Sequence, residues 1–189
     1  MEFESDRSPL EHVPSLNLPA TALLHERNIS PLYEVNMDEN QGPIVDLVGR
    51  IASSSQDKGK AARLIAAAIR DGFGYRWTGI YEVGNQDIYA LAWDGPHAPA
   101  FPRFPKTKGL SGRAILSRAA VSVDDVTQDP DYLTTVDSTR SEIVVPVLGT
   151  TMEAVGLIDA ESERVAAFSA EDLSALQACA AAIRPLWSE

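Results

Sequence analysis

Trp77, Gly79 and Tyr81 are spaced two apart, and on a strand that spacing points all three to one face. Two aromatic walls flanking a position with no side chain make a slot, and aromatic faces attract ammonium groups and polarisable sulfur. Glu142, Val144 and Pro146 share a face by the same rule, as do Asp159 and Glu161. Carboxylates can therefore converge at the strand ends beside the slot. That combination suits a small cationic or zwitterionic ligand. The blander reading has Trp77 and Tyr81 filling a core and Glu142 pairing with Arg140 or Arg113.

Other catalytic patterns are incomplete. His12, His25 and His97 are far apart, which leaves neither a metal site nor a catalytic triad with an obvious base. Gly109-Leu110-Ser111-Gly112 departs from a nucleophile elbow, because the glycine follows the serine directly, and it reads as a tight turn. Asp159, Glu161 and Glu163 alternate without the glycine and final glutamate of a calcium loop, which reads as a solvated acidic edge. Cys179 is the only cysteine, so the chain forms no internal disulfide and no thiolate zinc site. No catalytic residue, metal ligand or cofactor is assigned on these grounds.

The elements that must hold these residues follow from periodicity. Ile44, Leu47, Val48 and Ile51, then Ala61, Leu64, Ile65, Ala68 and Ile69, recur at helical spacing, and the second helix is predicted to end at Gly72 or Gly74. Residues 77–83 and 88–93 read as two strands joined by a hairpin. Four prolines between Gly95 and Pro105 make that segment a surface loop. A short helical stretch follows Gly112, then a brief strand at 120–123, a turn at Asp129-Pro130-Asp131, and two strong strands at 142–148 and 154–158. The last helix starts at Ser169 with Asp172 three residues on, and Leu173, Leu176, Ala180, Ile183 and Trp187 form a narrow seam for the sheet or a partner helix.

Length and charge narrow the class. A chain of 189 residues fits one domain with an appendage, and residues 1–42, polar and punctuated by proline, read as an extension before a domain at 43–189. Lys plus Arg is 16 and Asp plus Glu is 27, a net charge of −11, which argues against nucleic acid and anionic membrane as partners. No apolar run approaches the ~20 residues of a membrane span, and Met1 is followed by acidic residues; both fit a cytoplasmic protein.

Four segments in order carry a resemblance: Tyr75-Arg76-Trp77-Thr78-Gly79-Ile80-Tyr81, Lys108-Gly109-Leu110-Ser111-Gly112, Arg140-Ser141-Glu142-Ile143-Val144-Val145-Pro146, and Val155-Gly156-Leu157-Ile158-Asp159-Ala160-Glu161-Ser162. Together they resemble the landmarks of GAF domains, and within these the free methionine-(R)-sulfoxide reductases. The resemblance covers residues 45–187 and implies an α/β (α+β) fold. Its central antiparallel sheet carries the N-terminal and C-terminal helices on one face and a loop-covered pocket on the other. The reductases use three pocket cysteines, and the matching positions here hold Phe101, Ser111 and Thr135. A hydroxyl can neither attack the sulfoxide sulfur as a thiolate does nor resolve the product as a disulfide. The positions matching the family's amino-acid-recognising residues are Trp77, Tyr81, Glu142, Asp159 and Glu161, with Ser111 in the pocket turn and Arg140 or backbone N–H groups available for a carboxylate.

The expectation is a non-catalytic, sensor-type GAF domain that binds a small molecule, with methionine or its sulfoxide as candidates, signalling through another chain and forming a homodimer through its terminal helices. One alternative is an enzyme with altered chemistry. The other is a ligand-free interaction module, its slot closed by Phe101 inserted between Trp77 and Tyr81.

Overall fold

The computed structural model describes residues 41–133 and 138–188. Almost all of the predicted extension therefore lies outside the described residues. Helix α1 (Gly42–Ser54) opens with Pro43, which suits a first turn that has no use for its N–H. Helix α2 (Lys58–Phe73) begins where the Asp57 carboxylate accepts the Lys60 N–H at 2.9 Å and ends with Gly74 in the left-handed conformation. The hairpin follows as β1 (Trp77–Val83) and β2 (Asp87–Asp94).

Past the hairpin lie β3 (Arg103–Pro105), helix α3 (Gly109–Ser117), β4 (Val121–Val123), β5 (Ser141–Leu148), β6 (Ala154–Ser162) and helix α4 (Ala170–Ile183). The six strands form one sheet in the order β3-β2-β1-β6-β5-β4, with every neighbouring pair antiparallel. Helices α2 and α4 cover one face, and α1 packs across both of them. Ile65 and Ile69 from α2, Ile80, Ile143 and Ile158 from the sheet, and Leu176 and Ile183 from α4 form the core of that layer. Each such side chain contributes about 1.5–3 kcal/mol on burial. The other face carries α3, with Trp77, Tyr81, Ile88, Leu110, Ala114, Val144 and Leu157 beneath it.

Three expectations are corrected. The proline-rich loop closes with a short edge strand, since β3 pairs with β2 from Asp87↔Pro105 to Tyr89↔Arg103; Pro105 is tolerated because an edge strand leaves half its N–H groups unpaired. Gly109-Leu110-Ser111-Gly112 is the first turn of α3, with the Gly112 N–H already bonded to the Lys108 carbonyl at 3.0 Å. Strand β6 runs to Ser162, four residues past the predicted end at Ile158. That extension takes Asp159 and Glu161 into the sheet.

The seam of α4 is used inside the chain. The Ser169 capping box holds its start, and Leu176, Ala180 and Ile183 are buried against the sheet and α1. Trp187 lies flat enough on β6 that a Cβ at Gly156 would sit 2.3 Å from the indole. An association through the terminal helices would have to use other side chains.

Candidate ligand-binding site

Sheet register assembles the site. Trp77 lies opposite Glu161 on β6, and Glu161 lies opposite Glu142 on β5, so these three form one cross-strand row. The next row is Gly79, Asp159 and Val144, and the row after it is Tyr81, Leu157 and Pro146. Directly opposed residues on one face have Cβ atoms about 4.5–5.5 Å apart. Three carboxylates separated by up to 19 residues of sequence therefore meet in space, and each offers an oxygen within 4.8 Å of the others.

All three are buried: Glu142 is 3% exposed, Asp159 2% and Glu161 1%. The solvated acidic edge expected at 159–163 is thus confined to Glu163, which is exposed and pairs with Arg76 Nε at 2.8 Å. The Thr139 hydroxyl donates to the Glu161 carboxylate, whereas Glu142 Oε2 and Asp159 Oδ1 have no hydrogen-bond partner among the described residues. Burial, and then the neighbouring carboxylates, push Glu142 and Asp159 well above the ordinary carboxyl range. Tyr81 and Tyr132 are held in the neutral phenol form first by burial and then by the same negative charges. A spacing of this kind admits an ammonium group or a small hard cation.

The cationic partners expected for Glu142 are engaged elsewhere. Arg113 Nη2 pairs with Asp129 at 2.6 Å, and Arg140 is exposed, its guanidinium donating to the Thr139 carbonyl at 2.9 Å. The structure does not bring Arg140 to the carboxylates: it precedes β5 and is exposed.

The aromatic slot differs from its expected form. A Cβ at Gly79 would meet the Trp77 ring at 2.4 Å and the Tyr81 ring at 2.7 Å, so both rings lean over the glycine and occupy the notch themselves. Trp77 is held there by its indole N–H, which donates to the His97 carbonyl at 2.9 Å. Gly95 has φ +148° and would place a Cβ 2.3 Å from the indole, so the loop after β2 is built around Trp77. Phe101 is not inserted between the two rings. It is 44% exposed and lines a cavity shared with Phe104, Leu110, Ser111, Leu133, Glu142 and Asp159. That cavity has a volume of about 10 Å3, room for a single water.

Together with Glu142 and Asp159, the cavity is lined by Gly109, Leu110 and Ser111, the first turn of α3. No side chain caps this helix. Its leading N–H groups have no carbonyl of their own helix to bond, and they carry the positive end of its dipole. Ser111 is 6% exposed. Thr135, the third position matching a reductase cysteine, lies outside the described residues. No sequence pattern marked Thr139, Tyr132 or the uncapped start of α3; the last was visible only as a lysine at 108, where a capping residue would be expected before a helix.

Residues 57–184 match the GAF domain family. The chain belongs to it. GAF domain-containing protein A of Dictyostelium discoideum is 29% identical over 109 residues, spanning 57% of this chain and 67% of that protein. A free methionine-R-sulfoxide reductase of Neisseria meningitidis, solved with its substrate, superposes with a TM-score of 0.70 at 27% identity, over 79% of this chain and 90% of the reductase. A type II free methionine-R-sulfoxide reductase of Thermoplasma acidophilum superposes at 0.62 with 33% identity, over 69% of this chain and 94% of the other.

In this GAF domain the only thiol is remote from the cavity. Cys179 is fully buried in α4 on the opposite face of the sheet, and burial pushes its thiol up to about 12.

Proposed function

We propose that this GAF domain binds a free amino acid without turning it over, with methionine or methionine sulfoxide as candidates, and serves as a sensor. The observation that carries the reading is the polarity of the closed cavity. The buried carboxylates of Glu142 and Asp159 line it together with an uncapped helix N-terminus. An α-amino acid is a zwitterion of matching polarity. Its ammonium group would replace the protons that Glu142 and Asp159 otherwise hold, and its carboxylate would take the leading N–H groups of α3. Trp77 and Tyr81, whose rings fill the notch at Gly79, would have to part to receive its side chain. The likeness to a substrate-bound reductase supports the same ligand class.

Absence of turnover rests on the residues at the thiol positions. Phe101 and Ser111 cannot form a thiolate, and Cys179 lies beyond the sheet. Entry requires the Phe101 and Leu133 segments to move, because an amino acid is several times larger than the water-sized cavity. Opening and closing of that cover is the signal a partner chain would read. A cytoplasmic location and association of two copies belong to the same proposal; among the described residues no helix is long and apolar enough to cross a membrane.

A second reading is favoured by the closed slot: an interaction module whose pocket is filled by Trp77 and Tyr81. Thermal unfolding with methionine, both sulfoxide epimers and other amino acids separates the two. A ligand at about 100 times its Kd stabilises the native state by about 2.7 kcal/mol. Stabilisation by one amino acid in the wild type and its loss in Trp77→Ala supports the sensor. No shift with any amino acid refutes it in favour of the module.

A further inference from the structure

A second cavity, of about 530 Å3, lies between the α2–β1 turn and the β6–α4 connection and shares no lining residue with the carboxylate site. Its size is within the range of about 300–1,000 Å3 typical of small-molecule sites. One wall is aromatic: Phe73 and Tyr75 have ring centroids 5.6 Å apart, and Tyr75 and Phe168 meet edge to face at 5.4 Å.

Of the two acidic groups of this groove, Asp172 is held by neutral donors and Glu163 by a cation. Asp172 accepts the Tyr75 hydroxyl at 2.7 Å, and the Ser169 N–H and hydroxyl at 2.8 and 2.9 Å. Glu163 holds Arg76 at 2.8 Å. Arg70 is divided between Asp71 at 3.0 Å and Asp94 at 3.1 Å. Arg164 is different: it is exposed and forms no ion pair among the described residues. Its backbone is pinned, since its carbonyl accepts the Ser141 hydroxyl at 2.7 Å and its N–H donates to Ser162 Oγ at 3.2 Å. On a chain of net charge −11, an arginine with no ion pair among the described residues, lining the same groove as an aromatic wall, is a local site for negative charge.

We infer that this groove binds a small organic anion, its aromatic body against Tyr75 and Phe168 and its carboxylate or phosphate on the Arg164 guanidinium. The planar fork of arginine suits either oxyanion bidentately, and ring-on-ring contact supplies the apolar part.

Isothermal titration calorimetry of the full chain with naphthoate, naphthyl phosphate and neutral naphthamide tests this. At least one anion is expected to bind at millimolar concentration or below. Arg164→Ala weakens it by about tenfold, the worth of one charge-assisted contact, and Arg164→Lys falls between. The tighter of the two anions identifies the oxyanion. Naphthamide binds more weakly and ignores the substitution. No binding of either anion, equal affinity in Arg164→Ala, or naphthamide binding as tightly as the anions overturns the inference. Arg164 is a surface residue outside the carboxylate cavity, so a failure here leaves the amino-acid reading untouched, and the amino-acid thermal shift of Arg164→Ala should equal that of the wild type.

Discussion

Replacing Asp159 by asparagine should make the ligand-free protein more stable at neutral pH while abolishing its response to amino acids. Glu142, Asp159 and Glu161 present oxygens within 4.8 Å of one another, and two unit charges at that separation repel by about 3.5 kcal/mol at an effective dielectric constant of about 20. Full ionisation involves three such pairs, or about 10 kcal/mol, comparable to the whole stability of a domain. The cluster escapes by retaining protons. Holding one at neutral pH on a carboxyl whose unfolded pKa is near 4 costs about 4 kcal/mol. Asp159→Asn removes one such burden, and the buried amide with incomplete partners returns about 1–2 kcal/mol of it. The net gain is about 2 kcal/mol, which for a domain of this size raises Tm by about 4–8 °C.

The sign of the pH dependence sharpens the test. Glu142 and Asp159 have folded values above their unfolded ones, so above about pH 4 the native state holds protons that the unfolded chain has released. Stability is then greatest in acid and falls as pH rises toward the raised values. Circular-dichroism melts of wild type and Asp159→Asn at neutral and mildly acidic pH, with and without methionine, should show the variant's advantage shrinking in acid and a ligand shift in the wild type alone. A variant less stable than wild type by the same amount at both pH values would refute the reasoning, because Asp159 would then be a satisfied structural partner.

Gly79→Ala places a methyl group 2.4 Å from the Trp77 ring and 2.7 Å from the Tyr81 ring, so urea unfolding should show a loss of about 1–3 kcal/mol. Trp77→Phe removes the indole N–H that donates to the His97 carbonyl; a loss of about 1 kcal/mol is expected, together with faster amide exchange in residues 95–101. Burial pushes the Cys179 thiol up to about 12, so at neutral pH almost none is thiolate and alkylation should require unfolding; rapid labelling of the native protein would contradict the packing of α4.

Local pattern carried much of the fold. The helical spacing around α1 and α2, the aromatic and β-branched runs of the hairpin, and the Ser169–Asp172 box all act within a few residues, and all appear where their chemistry places them. The errors lie where a distant partner decides. Residues 103–105 become a strand only because β2 offers an unpaired edge, and Gly109 to Gly112 coil into helix with Leu110 and Ala114 buried on the sheet.

The candidate site divides in the same way. Strand alternation placed Trp77, Gly79 and Tyr81 on one face, and Asp159 with Glu161 on another stretch of strand. It carried no information on whether the aromatic rings stand apart or lean together over the glycine. Nor did it show that Arg140 is exposed, since a residue just before a strand is not bound by the strand's alternation.

The sequence alone marks an antiparallel α/β domain of GAF type, and leads to the expectation of a polar pocket walled by Trp77 and Tyr81 with serine, phenylalanine and threonine at the matched thiol positions. Those properties depend on residue type and short-range periodicity. Only the tertiary structure decided that three carboxylates share one buried site, two of them lining a cavity with the start of α3, that the slot is closed by its own walls, and that Arg164 lines an aromatic groove with no ion pair among the described residues. Each of these depends on the register between strands or on packing between elements far apart in the chain, where burial and the mutual repulsion of charges, rather than local preference, set the outcome.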